Sequence, residues 1–317
     1  MPLRDDWVSA AELTRRLDQA VGSYPCTLDV VLVDDASLQT CNAADFQSKF
    51  AAVRTIRILR LHRNLGHQRA ITIGLVHVQQ VMPCDAVLVM DADGEDTASG
   101  ALKLILAYSE INDNHNIKAI FAERSRRTES LLFRFFYRLY KIVHRILTGV
   151  SVRVGNFSIL PSSYLATLVV MSEMWNHYAA AFFRSGLPFT TIPIPRGHRI
   201  TGTSKMNFVT LAAHGISAIS VFGDVVGVRL LIGSMTGSLM VVLGILVVCM
   251  IRVFTDKAIP GWATYASGSL AIILMQFITV AISFTFTMLS SRTNLSFMPL
   301  RDHSLFVAGV QTIYSNE

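Results

Sequence analysis

Two rhythms of apolar and polar residues alternate along this chain before giving way to two long, unbroken apolar runs. From Val8 to about Ile194, helical and strand patterns take turns. Val8–Val21 repeats its apolar residues at helical spacing, whereas Leu28–Val33 is the short continuous apolar run of a buried strand. Ala43–Ala52 reads as a short helix, Thr55–Leu61 as a strand, Gly66–Gln80 as a helix and Ala86–Met90 as a strand. Thr97–Asn112 reads as a helix capped by Asp96 or Thr97, and Ile117–Ala122 as another strand. This alternation predicts an α/β domain with a mainly parallel sheet covered on both faces and ligand sites at the strands' carboxyl ends. Such a sheet normally opens with a strand before its first helix, yet only Met1–Arg4 precedes Asp5-Asp6-Trp7. Either that strand is missing or the natural start lies upstream; the intact remainder of the domain favours the second.

The apolar runs lie near the C-terminus. Leu230–Ile251 and Ala266–Ser290 contain no charged residue, and each is long enough to cross a hydrocarbon core of roughly 30 Å as a helix. Arg252–Tyr265, with a turn at Pro260-Gly261, is too short a link for anything but an antiparallel pair. Composition agrees: 51% of residues are hydrophobic and only 16% charged, too apolar for an ordinary soluble enzyme. The chain opens with Arg4, Asp5 and Asp6 rather than an apolar leader, so no signal peptide is expected.

Glu129–Thr148 carries a different pattern. Arg134, Arg138, Lys141 and Arg145 recur at spacings of four, three and four, on one helical stripe, with Leu132, Phe135, Phe136, Leu139, Val143, Ile146 and Leu147 opposite. That arrangement suits a helix lying in the lipid headgroup layer; a surface helix packed on the core is the alternative. Lys205–Val228 is a weaker candidate of the same kind. The net charge of +6 fits an anionic membrane surface better than nucleic acid, because the basic residues are not interleaved with exposed aromatics. Cys26, Cys41, Cys84 and Cys249 lack C-x-x-C spacing and read as reduced thiols.

Candidate chemistry gathers at two strand ends. Leu28–Val33 runs into Asp34-Asp35-Ala36-Ser37, and Ala86–Met90 runs into Asp91-Ala92-Asp93. Two carboxylates two residues apart at such a place can hold a hard divalent cation and leave positions for the phosphates of a sugar nucleotide.

These motifs occur together with Asn64-Leu65-Gly66-His67-Gln68-Arg69-Ala70, Gly155-Asn156-Phe157 and Arg199-Ile200-Thr201-Gly202-Thr203-Ser204-Lys205. In that order they resemble glycosyltransferase family 2, on the branch of polyprenyl-phosphate glycosyltransferases that includes the dolichol-phosphate mannose synthases and bactoprenol glucosyltransferases. The resemblance covers Met1 to about Ser290. It implies a GT-A domain over residues 1–204, a juxtamembrane helix over 205–229, a transmembrane hairpin over 230–290 and a cytoplasmic tail over 291–317.

The resemblance also implies roles. Pro2 and Asp6 would touch the nucleotide base and ribose, and Asp35 would read the base with Asp34 supporting it. Asp91 and Asp93 would form the Mg²⁺ or Mn²⁺ and diphosphate site, Asp93 being the stronger ligand. Arg124 and Arg127, at the start of the amphipathic helix, would handle phosphate, with Arg134 beyond them on the lipid-phosphate side. Arg199, Ser204 and Lys205 would belong to a mobile loop closing over donor diphosphate and lipid phosphate. The implied partners are a nucleotide-sugar donor (UDP-glucose is the first guess), a polyprenyl phosphate acceptor, membrane lipids and further copies of the chain, with no nucleic acid. The implied location is the inner, cytoplasmic membrane, with two spans and the catalytic domain in the cytoplasm.

The chain departs from the family at Asn156, where many relatives carry Asp, and at Ser162, where Arg is common. His67 reads as shaping the helix start rather than as an acid or base, and His177 as a packing or acceptor-lining residue. A processive polysaccharide synthase is a rival reading, but its Q-x-x-R-W motif is absent, and Met174-Trp175-Asn176-His177 does not match it. A membrane scaffold that has lost donor binding is another; the intact Asp91, Asp93 and Lys205 oppose it.

Overall fold

The computed structural model describes residues 1–112, 117–124, 131–150, 154–202, 208–255, 261–293 and 297–316. Its first half runs β1 (Pro2–Leu3), α1 (Trp7–Val21), β2 (Leu28–Asp34), β3 (Val53–Leu61), α2 (His67–Val81), β4 (Ala86–Val89), α3 (Ala98–Asn112) and β5 (Ala119–Arg124). Next come α4 (Leu131–Thr148), β6 (Val154–Pro161), α5 (Ser162–Leu168), α6 (Tyr178–Ser185), β7 (Phe189–Ile194) and α7 (Phe208–Ser220). Two long helices, α8 (Gly223–Phe254) and α9 (Trp262–Thr293), precede a short α10 (Pro299–Asp302) and β8 (Val307–Ser315). The chain divides into two compact units: Met1–Tyr137, Val152–Val221 and Phe297–Glu317 form one, Arg138–Ser151 and Phe222–Ser296 the other.

The first unit is α/β. One sheet has the order β1-β2-β3-β8, the other β4-β6-β5-β7. In β2 the residues alternate between faces, as a strand's two-residue period requires. Val30 and Leu32 pack with Trp7, Ala10, Ile56 and Ile58, whereas Val31 and Val33 pack with Leu59, Leu61, Ala70 and Ile73. α1 therefore covers one face and α2 the other. α1 also reaches the second sheet, its Leu13 and Leu17 sharing a core with Ala101, Leu104, Ile120 and Ile159.

Expectation and structure differ in four places. The sheets are mixed: β1–β2, β2–β3 and β5–β7 are parallel, but β6 lies antiparallel to both β4 and β5, and β8 antiparallel to β3. The strand expected ahead of α1 is present as Pro2–Leu3, paired with Val33 and Asp34. The helix expected over Ala43–Ala52 shrinks to a 3-10 turn, Ala43–Phe46. Buried Asp18 on α1 is the cause: its carboxylate accepts the N–H groups of Ala51, Ala52 and Val53 at 2.7–3.0 Å, holding that stretch open on its way into β3.

The fourth difference concerns the C-terminus. Residues 297–316 are not a tail but part of the first unit. β8 pairs with β3 from Thr55↔Ser315 to Leu61↔Val307, and Asn316 N donates to Arg54 O at 2.9 Å. Upstream of it, Leu300 N donates to Val169 O, and Trp175, Phe297 and Phe306 stack together. The sequence Val307–Ser315 has no charge and is rich in strand-forming residues, so it completes an open sheet edge readily.

In the second unit, α8 and α9 are each 32 residues long, about 48 Å at 1.5 Å per residue and ample for a bilayer core. They pack antiparallel, Gly237 facing the Phe277 ring and Gly244 facing Leu270; a Cβ on Gly237 would lie 2.7 Å from Phe277 Cζ. Outward they expose Leu239, Met240, Leu246, Ile272, Met275 and Phe286. Water would penalise such a surface, and lipid would not. On the C-terminal part of α4, Arg138, Lys141 and Arg145 are exposed, and so are Ile142, Val143 and Ile146. That exposure departs from what a helix packed on the core would show.

Candidate active site

The acidic strand ends converge with a loop that follows β7. Asp34 and Asp35 leave β2, and Asp34 Oδ1 accepts Ser37 N at 2.8 Å, closing a turn. Asp35, 5% exposed, accepts Leu65 N at 2.6 Å and Gly66 N at 2.8 Å, one on each oxygen. It thereby fixes the entry to α2, where Gly66 has φ 91°, a conformation that glycine alone adopts freely. Asp5, itself at φ 59°, accepts Leu38 N and Gln39 N on one oxygen and donates its own N–H to Ser37 Oγ. Asp5 thus holds the Leu38–Gln39 loop in place beside a cavity of about 470 Å³. Asp5, Asp6, Leu38, Gln39, Arg199, Thr201 and Gly202 line it. Asp6 stands at the N-cap of α1 and makes no capping hydrogen bond.

The turn after β4 is more tightly built. Asp96 Oδ2 accepts Asp91 N at 2.9 Å, while Thr97 Oγ1 accepts Gly100 N at 3.0 Å and caps α3. Of the two cap candidates, Thr97 is therefore the one that caps. Asp93, 8% exposed, accepts Glu95 N on Oδ1 and pairs through Oδ2 with Arg199 Nη2 at 2.7 Å. Burial and the neighbouring charge of Asp91 push the Asp93 pKa up, against the opposing pull of Arg199 and Arg196. Glu95 pairs with Arg196 and lies 3.6 Å from Arg199 Nε.

Asp91 has a different neighbour. His67 Nε2, in the first turn of α2, lies 3.1 Å from Asp91 Oδ1 and 3.1 Å from Asn156 Nδ2. Asn156 Oδ1 in turn faces Gln68 Nε2 at 3.3 Å, and Gln68 Oε1 accepts Tyr178 N at 2.7 Å. Burial lowers the His67 pKa, but Asp91, with Asp96 and Asp93 behind it, outweighs that and leaves it raised. Among the described residues no three His, Cys, Asp or Glu side chains cluster as a ready-made metal cage.

The family model described as glycosyl transferase family 2 matches residues 7–168, just over half of the 317-residue chain, and so spans both acidic turns. The chain belongs to that family. This family 2 glycosyltransferase is similar to YkcC, a glycosyltransferase of Bacillus subtilis, with 25% identity over 83% of this chain and 80% of the relative. It is also similar to CsbB of the same organism, a putative glycosyltransferase, with 24% identity over 80% and 75% of the two chains. The undecaprenyl-phosphate 4-deoxy-4-formamido-L-arabinose transferase of Salmonella choleraesuis is 24% identical over 88% of this chain and 82% of its own.

The structure of this glycosyltransferase brings Asp6, Arg199, Asp91, Asp93, Asp34 and Asp35 to the carboxyl ends of its strands and the loop after β7. Pro2 lies within β1 beside Val33. Arg127, Ser204 and Lys205 lie outside the described residues, as do the side chains of Arg124 and Arg134, whose backbones sit in β5 and α4. Sequence reading missed Asp5, Glu95 and Asp96 as organisers of the two turns. For Glu95 and Asp96 the signal was the density of acid in Asp91–Asp96, where four of six residues are carboxylates. The Gln68–Asn156–His67 chain joins residues nearly ninety apart and left no local signal.

Proposed function

We propose that the protein transfers a sugar from a nucleotide-sugar donor to a polyprenyl phosphate at the cytoplasmic face of a membrane, with inversion at the sugar C1. The supporting observation is the joining, in one family 2 glycosyltransferase, of a carboxylate turn beside a 470 Å³ cavity and a pair of long, lipid-suited helices. The name of the Salmonella relative, which specifies undecaprenyl phosphate, points to the same acceptor class.

The cavity suits the nucleoside half of the donor, Asp6 facing it together with the loop held by Asp5. Asp34 supports that loop from the β2 side through Ser37 N, and Asp35 holds the start of α2. Asp91 and Asp93 fit a hard divalent cation. They supply two oxygen donors, their charges lie close enough to raise the Asp93 pKa, and a guanidinium is already drawn to Asp93. Mg²⁺ or Mn²⁺ held there would neutralise the diphosphate leaving group, with remaining ligands from the donor and water.

A polyprenyl phosphate is already an anion, so no strong general base is needed. Its oxygen forms a bond to C1 as the bond from C1 to the nucleoside diphosphate breaks, and the electron pair leaves with the diphosphate. The chain's task is to align the two and to stabilise the departing charge, for which Arg199 and, by resemblance, Arg124, Arg127, Ser204 and Lys205 are available.

Both the segment before α8 and the segment after α9 belong to the α/β unit. A membrane crossed by the two helices therefore leaves that whole unit on one side, and nucleotide sugars place that side in the cytoplasm. The deciding experiment incubates membranes carrying the protein with undecaprenyl phosphate and a panel headed by UDP-glucose, then UDP-N-acetylhexosamines and GDP-mannose. A glycosylated lipid phosphate is expected with one donor; none with any donor would reject the reading.

A further inference from the structure

We propose that Arg199 is a built-in counter-cation of Asp93, which a divalent cation must displace and which is thereby handed to the donor diphosphate. The proposal rests on the reading of Asp93 as a metal ligand and deepens it.

Asp93 Oδ2 is the oxygen that matters. Oδ1 is engaged by Glu95 N at 2.9 Å, and Oδ2 by Arg199 Nη2 at 2.7 Å. A divalent cation sits about 2.0–2.6 Å from a carboxylate oxygen, so on Oδ2 it would stand close against the guanidinium, and the two positive charges repel. A buried carboxylate without a cation would be costly, and Arg199 meets that need in the metal-free protein.

The arginine is held by charge more than by a full set of hydrogen bonds. Its Nε is buried yet makes no hydrogen bond, the nearby Glu95 Oε1 being 3.6 Å away. Glu95 is in addition paired with Arg196. A guanidinium with an unsatisfied buried N–H gains from a further acceptor, and a phosphate offers two oxygens to its planar fork.

The rest of the loop is docked on the same turn. Gly197 N donates to Glu95 O at 2.8 Å, Ile200 N to Asp93 O at 2.9 Å, and Ser9 Oγ lies 2.5 Å from Thr201 Oγ1. The fit is close: Gly94 has φ 89°, and a Cβ there would come within 2.6 Å of Ile200 Cγ1. Displacing Arg199 from Asp93 therefore loosens a loop that lines the donor cavity. Cation without donor must evict Arg199 with no new partner for it, whereas cation with diphosphate provides one. Metal and donor binding are coupled through this one side chain.

The test measures Mn²⁺ binding by electron paramagnetic resonance on the full-length protein in detergent, with and without a nucleoside diphosphate. Alongside the unaltered protein it uses Arg199→Gln, Arg199→Lys and Asp93→Asn. Without nucleotide, Arg199→Gln should bind Mn²⁺ about tenfold more tightly than the unaltered protein, the loss of one charge-assisted competitor, and Arg199→Lys should fall between them. Nucleoside diphosphate should tighten Mn²⁺ binding more in the unaltered protein than in Arg199→Gln. Asp93→Asn should abolish binding. As an independent readout, Mn²⁺ should speed hydrogen exchange at the Ile200 amide. Unchanged or weaker Mn²⁺ binding by Arg199→Gln, with Asp93→Asn still abolishing it, overturns the exchange while leaving the metal site standing. No Mn²⁺ binding by any form overturns both. Sugar transfer plays no part in these readouts, so a failed donor screen with the expected Mn²⁺ pattern rejects the transfer reading alone.

Discussion

Phe297 stacks on Trp175 with ring centroids 3.8 Å apart, only four residues after α9 ends at Thr293. Phe306 joins the same stack at 5.2 Å from Trp175, and the Arg69 guanidinium lies over the Trp175 ring, 5.2 Å from its centroid. The chain that leaves the α/β unit for the two long helices thus returns to it at once, and β8 completes the return along β3.

That return fixes the expected membrane topology. In a background lacking the four native cysteines, a cysteine at Thr264 should react with an impermeant maleimide in intact cells or spheroplasts, and one at exposed Leu305 only after lysis. Labelling of Leu305 from outside would overturn the cytoplasmic site.

Asp93→Asn keeps the side chain's shape and removes its charge. Sugar transfer should fall at least about 100-fold, the scale of losing one electrostatic stabiliser of the transition state, while the protein still inserts and folds. Activity within a few-fold of the unaltered protein would reject the metal-site assignment.

His67 offers a pH test. Its folded pKa is raised by Asp91, so the imidazolium form is favoured by the fold, and the pair is lost as pH rises through that pKa. Asp91→Asn removes the largest raising influence and leaves burial, which lowers, opposed only by the weaker pull of Asp96 and Asp93. Followed by NMR of the imidazole, the His67 midpoint should move down in Asp91→Asn. An unmoved midpoint would mean that the two side chains do not interact in solution.

Asp18→Ala should cost about 2–4 kcal/mol of stability, because three buried or half-buried backbone N–H groups lose a charged acceptor. The shift should be read from the denaturant midpoint of the detergent-solubilised protein. A change below about 0.5 kcal/mol, the size typical of an unremarkable surface substitution, would show that water replaces the carboxylate freely.

The basic stripe of α4 is testable as a peptide of residues 129–148, because cutting the chain before α8 would also remove β8 from the sheet. Replacing Arg134, Arg138, Lys141 and Arg145 with Gln should weaken binding to anionic vesicles by roughly 1,000-fold at low salt, at ~1 kcal/mol per charge, and less as salt rises. Equal binding by both peptides would assign the helix to protein packing.

Local pattern in the sequence determined much of this protein. Leu28–Asp34, Val53–Leu61 and His67–Val81 stand within two residues of where periodicity puts them, because burial of one face or both writes itself directly into residue order. The two apolar runs and the acidic turns at the ends of β2 and β4 were equally legible, and the family resemblance rested on them. Pairing partners were not. Residues 291–317 read as a tail, and nothing in Val307–Ser315 names β3, some 250 residues earlier, as the edge it completes. The antiparallel entry of β6 is hidden for the same reason, since a buried strand has one composition in either direction. Asp18 shows how a distant carboxylate overrides local helix propensity at Ala43–Ala52 by taking up the backbone donors of Ala51–Val53. At the site, sequence supplied Asp93 and Arg199 as separate motifs a hundred residues apart. Only the docking of the loop after β7 on the turn after β4 put the guanidinium 2.7 Å from the carboxylate. Charge attracts through space, and the order of residues along a chain carries no distance.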